Sequence, residues 1–404
     1  MPTKKPLRIA IFTDSFLPRT DGVSTATRNL ALGLARRGHH IIIAAPRLGG
    51  RTPNIHPRVE ILRLHASPTF FYKDFPTSVP FEPRVLKFIA SHHVDIIEFQ
   101  TPWTAGLQAI IISRVLRIPL VGAFHTFIAE PDYHKNLKIN SKMFVPIAWK
   151  YLFLFYNACD LIICPSQQAV LDLKKNGCIR PIRLISNGID LSLIDNSNAQ
   201  SVRKRYAPQQ PLFLYVGRIA HEKNILFLLR AFTALLKKHP LARLLIVGDG
   251  PQISDVRAFI AHNELKRNVI LTGRIASNVL LSSGIYGAAD AFVTASKTEN
   301  QPMTILEAQA SALPCIVVNK KSMRDLVKDG VTGFVTRPES IRAFANAMAR
   351  IIDDKALATK MRHSTLLTIK SHALTNVAKE TEKRYRAIIK GTQRSARGST
   401  AHMI

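Results

Sequence analysis

Acidic side chains are scarce. Asp and Glu number 27 against 56 Lys and Arg in 404 residues, a formal charge of +29. That excess disfavours a basic partner and points to an anionic one: a nucleic acid, an anionic lipid surface or a phosphorylated substrate. Cysteine is scarce too. Cys159, Cys164, Cys178 and Cys315 form no C-x-x-C pair and no metal-ligand spacing. A disulfide framework and a zinc site are thereby excluded, leaving reduced thiols in a cytosolic protein. Long apolar runs are missing: nothing reaches the roughly 18 uncharged apolar residues of a membrane-spanning helix. The best stretch, "FVPIAWKYLFLFYNACDLIICP", is broken by Lys150, Asn157 and Asp160. The apolar run in "MPTKKPLRIAIFTDSF" stops at Thr13 and Asp14, so it reads as a first strand and not as a signal peptide. A cytoplasmic chain is expected, soluble or resting on a membrane surface.

What is present is ample core material, 47% hydrophobic residues, in a chain long enough for two domains. Short β-branched runs alternate with amphipathic stretches. Residues 7–13, 40–46, 59–64, 94–99, 118–124, 160–166 and 182–188 read as strands. After a polar stretch, 193–210, the pattern restarts with 211–217, 242–248, 268–273, 291–295 and 313–318. Continuous apolar runs of this length are expected of parallel strands covered on both faces. Residues 23–37 read as a helix ending at Gly38. The fold class is α/β: two doubly wound Rossmann-like domains facing a cleft, joined near residues 190–210. The boundaries read as 1–195 and 196–375, then a C-terminal helix over 376–390 and a disordered basic tail, 391–404.

In such folds ligands meet the loops that leave the carboxyl ends of the strands. Gly22, after the first strand, is either a plain turn glycine or one that admits an anion to backbone N–H groups. Arg218 and Lys223 in "GRIAHEKN" are either a solvated pair or a clamp for a diphosphate leaving group. "TGRI", with Arg274 and Ile275, is a loop whose backbone can meet a nucleobase edge. In "KTENQPMTILEAQASALP", Glu299 and Glu307 stand eight apart. A helix there opens with Asn300, Gln301, Met303 and Thr304 around Pro302, and its first N–H groups are free to bind phosphate or sugar hydroxyls. Glu307 lies two turns along on the same face. A carboxylate set in so apolar a run needs a partner.

Taken together, D-G-V after the first strand, H-T after the fifth, G-R-x-x-x-E-K-N, V-G-D-G-P at 247–251 and E-x7-E followed by "LP" resemble the retaining GT-B glycosyltransferases of family 4. The resemblance covers nearly the whole chain. It implies a hexosyltransferase that needs no metal and no cofactor, with a UDP- or GDP-hexose as co-substrate. It also implies roles. Arg218 and Lys223 hold the donor diphosphate, which Gly22 approaches from the first domain. Glu299 and the backbone of 300–304 hold the hexose, Glu307 the ribose, and Arg274 with Ile275 the base. His125, in "AFHTF", lies near the sugar and acceptor. Pro302 departs from the family pattern, which often has Gly there, and offers no N–H. The last helix resembles the one that crosses back onto the first domain in this family.

The segment after His125 resembles the corresponding region of diacylglycerol glucosyltransferases, an aromatic–histidine element followed by a basic amphipathic helix. Tyr133 and His134 occupy the element. Lys135, Lys138 and Lys142 share a helical face beside Phe144 and Trp149, suited to an anionic membrane surface at about 1 kcal/mol per basic residue. The apolar stripe Ile139, Met143, Ile147, Tyr151 and Phe155 either meets lipid or packs on the domain core. The expected activity is therefore glycolipid biosynthesis by a peripheral enzyme on the inner face of the membrane, with a nucleotide-sugar donor and a diacylglycerol-type lipid acceptor. The alternatives are a mannosyltransferase acting on a phosphatidylinositol-like or other saccharide acceptor and, in a different class, a basic nucleic-acid-binding protein. Against the last, no aromatic-interleaved basic motif is present, so no specific nucleic acid is expected.

Overall fold

A computed structural model describes residues 5–49, 54–67, 77–127 and 141–401. The chain forms two compact units. One comprises Met1–His125, Ile147–Gly188 and Leu374–Ile404; the other comprises Thr126–Pro146 and Ile189–Ala373.

The first unit is built on β1 (Arg8–Phe12), β2 (His40–Pro46), β3 (Val59–Leu64), a short pair β4 (Ala66–Ser67) and β5 (Thr77–Ser78), β6 (Ile96–Phe99), β7 (Leu120–Ala123), β8 (Leu161–Cys164) and β9 (Ile182–Leu184). Seven of these form one parallel sheet in the order β3-β2-β1-β6-β7-β8-β9, while β4 and β5 pair antiparallel. Ile9 in β1 sits between Ile41 of β2 and Ile96 of β6. All three are buried in a core shared with Leu34, Ile43 and Val121. The helix Gly22–Arg36 starts on an Asp21 cap, whose carboxylate accepts from the Ser24 N–H at 2.9 Å. Beyond it, Gly38 turns the chain at φ +94°.

The second unit holds β10 (Leu212–Val216), β11 (Arg243–Val247), β12 (Val269–Gly273), β13 (Ala291–Thr294), β14 (Cys315–Val318) and β15 (Gly333–Thr336). They form a parallel sheet in the order β12-β11-β10-β13-β14-β15. Its core includes Phe213, Phe232, Leu244, Ile246, Val293, Ile316 and Phe344. Every strand expected from the apolar runs is present. The sequence reading missed β4 and β5, which at two residues show no period, and β15, which opens on a glycine.

Two expected boundaries move. The long stretch of the second unit begins at Ile189, not at 196, because the joining segment is tied to it by backbone hydrogen bonds: Ile189 N–H to His372 O (2.9 Å) and Asp195 N–H to Leu281 O (3.0 Å). The last helix spans Leu374–Ala401 and therefore runs through most of the stretch read as a disordered tail. That stretch contains no proline, and its Gly391 and Gly398 weaken a helix without stopping it, at about 1 kcal/mol each.

This helix belongs to the first unit. Leu374 and Ala378 press on the helix Gly22–Arg36 at Gly33, where a Cβ would lie 2.9 Å from Leu374 Cδ1 and 3.0 Å from Ala378 Cβ. Glu382, buried, accepts from Arg37 Nε at 2.7 Å and from Arg386 Nε at 2.7 Å, and faces His39 Nε2 at 3.4 Å. Burial works against its charge, but the hydrogen bonds from Arg386 and Arg37 win and hold the carboxyl at about 2, below the ordinary 4.5. A depressed pKa stabilises the fold fully above pH 4.5, and the contribution is lost as pH falls towards 2. Glu382→Gln is therefore expected to cost about 1–3 kcal/mol at pH 7. It should also flatten the loss of stability between pH 4.5 and 2. Urea unfolding across that range checks both.

Candidate active site

In the second unit the candidate side chains sit where β10, β12 and β13 end. The loop after β10 carries Arg218, exposed, whose carbonyl accepts from the buried Tyr215 hydroxyl at 2.9 Å. This loop is shaped by its neighbour after β11. Gly248, at φ +153°, lies so close to Gly217 that a Cβ would meet its carbonyl oxygen at 1.9 Å. The two loops are stitched by Ile219 N–H to Asp249 O (2.9 Å) and Gln252 N–H to Ile219 O (3.0 Å). The V-G-D-G-P motif thus sets the shape of the arginine loop. Arg274 and Ile275 follow β12, the first exposed and the second half-buried.

Lys223 closes a short 3₁₀ turn, His221–Lys223, and its ammonium is paired with Glu299 Oε1. The same oxygen accepts from Ser296 Oγ at 2.9 Å, whereas Oε2 has no partner among the described residues. The family resemblance assigns these two residues to different parts of a ligand; the structure brings them together. Ser322 Oγ fixes the Glu299 carbonyl at 2.7 Å. Asn300 and Gln301, expected at the opening of the helix, are buried. Pro302 is the N-cap of the helix Met303–Ala310, with φ −68° and ψ 123°, where an N–H would have no helical partner in any case. The N–H groups of Met303 and Thr304, at the first two helical positions, have no protein acceptor among the described residues.

Glu307 is only 5% exposed, and its Oε2 accepts from the Tyr286 hydroxyl at 2.6 Å. Burial raises its pKa, and the tyrosine bond opposes that rise. The apolar setting of Glu307 in the sequence signalled a partner, but nothing in the spacing singled out Tyr286, 21 residues upstream on the short helix Ile285–Ala288.

In the first unit Gly22 opens the helix Gly22–Arg36, exposed, and among the described residues nothing beyond its own neighbours and helix comes within 4 Å of where a Cβ would stand. His125 follows β7 and is half-buried. Its Nε2 lies 2.7 Å from Gln100 Oε1. Burial pulls its pKa down to about 4, with the nearby Asp21 carboxylate pulling the other way, so the imidazole is neutral at pH 7. Gln100 Nε2 donates to Glu98 Oε1, and the buried Tyr385 hydroxyl donates to Glu98 Oε2. Burial lifts the Glu98 pKa to about 7 against both hydrogen bonds. These three residues were not expected, although a glutamate inside the apolar strand "VDIIEF", on the same face as Gln100, was the available signal.

Tyr133, His134, Lys135 and Lys138 lie outside the described residues, as does the side chain of Lys142, a residue of the helix Ser141–Tyr156. Trp149 on that helix is half-buried and stacks on Phe153 at 5.7 Å. The apolar stripe divides. Phe155 is buried, Tyr151 donates to Pro102 O at 2.7 Å, and Ile147 is exposed. Among the described residues no helix is long and apolar enough to cross a membrane.

Two Rossmann-like parallel sheets with polar side chains gathered at their carboxyl ends define the GT-B glycosyltransferase class, and comparison with known proteins agrees. Residues 20–193 match the model of Glycosyltransferase Family 4, and residues 197–365 match that of Glycosyl transferases group 1. The alpha-monoglucosyldiacylglycerol synthase of Streptococcus pneumoniae is 31% identical over 336 residues, 81% of this chain and 74% of that protein. A GDP-mannose-dependent alpha-mannosyltransferase of Corynebacterium glutamicum is 27% identical over 371 residues, 90% of this chain and 83% of that protein. The structure of Anabaena HepE in complex with UDP and glucose superposes with a TM-score of 0.74 at 18% identity, covering 94% of this chain and all of that one. The chain belongs to the GT-B glycosyltransferases of family 4.

Tyr286→Phe leaves the buried Glu307 without its donor and is expected to cost about 1–3 kcal/mol. Glu307→Gln keeps an oxygen acceptor for the hydroxyl and should cost less. Urea unfolding of the two variants side by side checks the order.

Proposed function

We propose that this glycosyltransferase moves a hexose from a nucleotide sugar to a diacylglycerol-type lipid at a membrane surface, with retention at the anomeric carbon and without a metal. The observation that carries the donor half is the Lys223–Glu299 pair at the start of the helix whose first N–H groups are those of Met303 and Thr304. A cation, a carboxylate oxygen and two N–H groups, the last three without a partner among the described residues, stand at the carboxyl end of one sheet. The lipid half rests on the 31% identity to an alpha-monoglucosyldiacylglycerol synthase.

In this reading Arg218 and Lys223 neutralise the charge that grows on the diphosphate as the C1–O bond to phosphate breaks. Glu299 Oε2 and the two amides hold sugar hydroxyls, the carbonyl and amide edges of Arg274 and Ile275 meet the base, and Gly22 leaves room for the phosphates. The Glu307 carboxylate, through the oxygen that Tyr286 does not take, holds the ribose. The acceptor hydroxyl attacks C1 on the face the phosphate leaves, and its proton passes to the departing phosphate oxygen. His125, neutral, steadies a hydroxyl near that centre. For the membrane, exposed Trp103 (47%) and Leu154 (73%) lie on packed segments of the first unit, where Trp103 and Tyr151 stand 6.1 Å apart. Together with the excess of positive charge they suit an anionic surface. A second reading, mannosyl transfer from GDP-mannose, is favoured by the Corynebacterium relative.

Incubating the purified protein with a panel of nucleotide sugars and diacylglycerol-containing vesicles tests the activity; transfer only to a water-soluble saccharide would overturn the lipid reading. Lys223→Ala and Glu299→Ala should each lower turnover at least ~10²-fold with the fold intact. A chelator should change nothing. Replacing Lys135, Lys138 and Lys142 with Glu should weaken co-sedimentation with anionic vesicles and glycolipid formation while sparing slow hydrolysis of the sugar nucleotide. Binding unaffected by salt or by this triple change would remove the membrane face from the account.

A further inference from the structure

We propose that Gln100 is a positioning residue that fixes the tautomer and the direction of His125, and that Glu98 and Tyr385 hold Gln100 in place for it. The proposal builds on the reading of His125 as a group near the reacting sugar.

The hydrogen bonds dictate the assignment. Glu98 accepts on both oxygens, from Gln100 Nε2 on one and from the Tyr385 hydroxyl on the other; with its pKa raised to about 7 it is mostly ionised at pH 8, the state this pattern requires. With its amide nitrogen turned to Glu98, Gln100 has only its carbonyl oxygen left for His125. A carbonyl oxygen only accepts, so the proton of the neutral imidazole must sit on Nε2, 2.7 Å away. Nδ1 is then the nitrogen with the lone pair. It has no hydrogen-bond partner among the described residues and is the atom left to meet a hydroxyl.

Each link is held from a different element. Glu98 and Gln100 are two residues apart on one face at the end of β6, His125 follows β7, and Tyr385, fully buried, comes from the C-terminal helix. Glu98, 1% exposed, lines a small cavity with Ala26, Leu30, Ser186, Asn187, Val377 and Thr381, and its charge carries a desolvation cost that an apolar residue there would avoid. A core that needed only packing would not place an amide between it and a half-exposed imidazole. Without the Gln100 carbonyl the neutral ring is free to exchange tautomers and to swing about χ2, and part of the population then presents N–H where a lone pair is needed.

The test is long-range 1H–15N imidazole NMR on the full chain at pH 8, with the His125 signal identified by its loss in His125→Ala. The wild type should show the Nε2–H tautomer, and Gln100→Met a mixture with the Nδ1–H form. Turnover should fall about 10–100-fold in Gln100→Met with the donor KM within about twofold, the size of effect expected when a support of a site residue is lost. Tyr385→Phe, which frees the far end of the chain of bonds, should move both readouts the same way by less. Should Gln100→Met fail to fold, Gln100→Asn, too short to span Glu98 and His125, reads the same signal. An Nδ1–H wild type, or a His125 signal unchanged in a folded Gln100 variant, overturns the proposal. Wild-type transfer by His125→Ala would instead remove the catalytic reading of His125 while leaving the tautomer result to decide the positioning.

Discussion

A parallel strand covered on both faces has no wet side, and this constraint governs where chemistry can stand in the molecule. Along β1, β10 and β13 the side chains that enter the sheets are almost entirely apolar, because a polar one would need a partner in the core. Polar groups are pushed to the strand ends, and there the loops diverge. Arg218, Arg274, Glu299 and His125 each stand within a few residues of a last strand position. The same constraint explains why an exception such as Glu98, carried inside a buried strand, is tied down on both oxygens.

The sheets were legible in the sequence because this constraint writes itself as uninterrupted β-branched runs. The strand ends, and hence the places of the candidate residues, followed from them. The relations between side chains were less legible. Lys223 and Glu299 are 76 positions apart, and their loops meet because β10 pairs with β13 and Lys297 N–H bonds to Glu222 O at 2.8 Å. Tyr286 carries no local mark of its contact with Glu307. The burial of Asn300 and Gln301 was hidden because polar residues before a helix ordinarily read as exposed. The end of the last helix was misjudged for a related reason: a polar, basic composition resembles disorder, and no proline or cap marks a stop.

The Lys223–Glu299 pair also shows how a site can be organised before a ligand arrives. Ser296 and Lys223 both bond to one carboxylate oxygen, and Ser322 fixes the same residue's carbonyl, so the orientation of Glu299 is set by the protein. A side chain so held has little rotamer freedom left to lose when it engages a hydroxyl.

The return of the last helix has a consequence for the order of assembly. Residues 189–373 of the second unit are continuous, so its six-stranded sheet can close as soon as that stretch leaves the ribosome. The first unit starts earlier but finishes later. Its core lacks Val377, Ala378 and Tyr385 until the stretch after residue 373 has been made, and Glu98 waits without its tyrosine while Gly33 faces an empty groove. The domain made first is therefore the one completed last, and a chain truncated before residue 374 would leave an apolar helix face and a buried carboxylate uncovered.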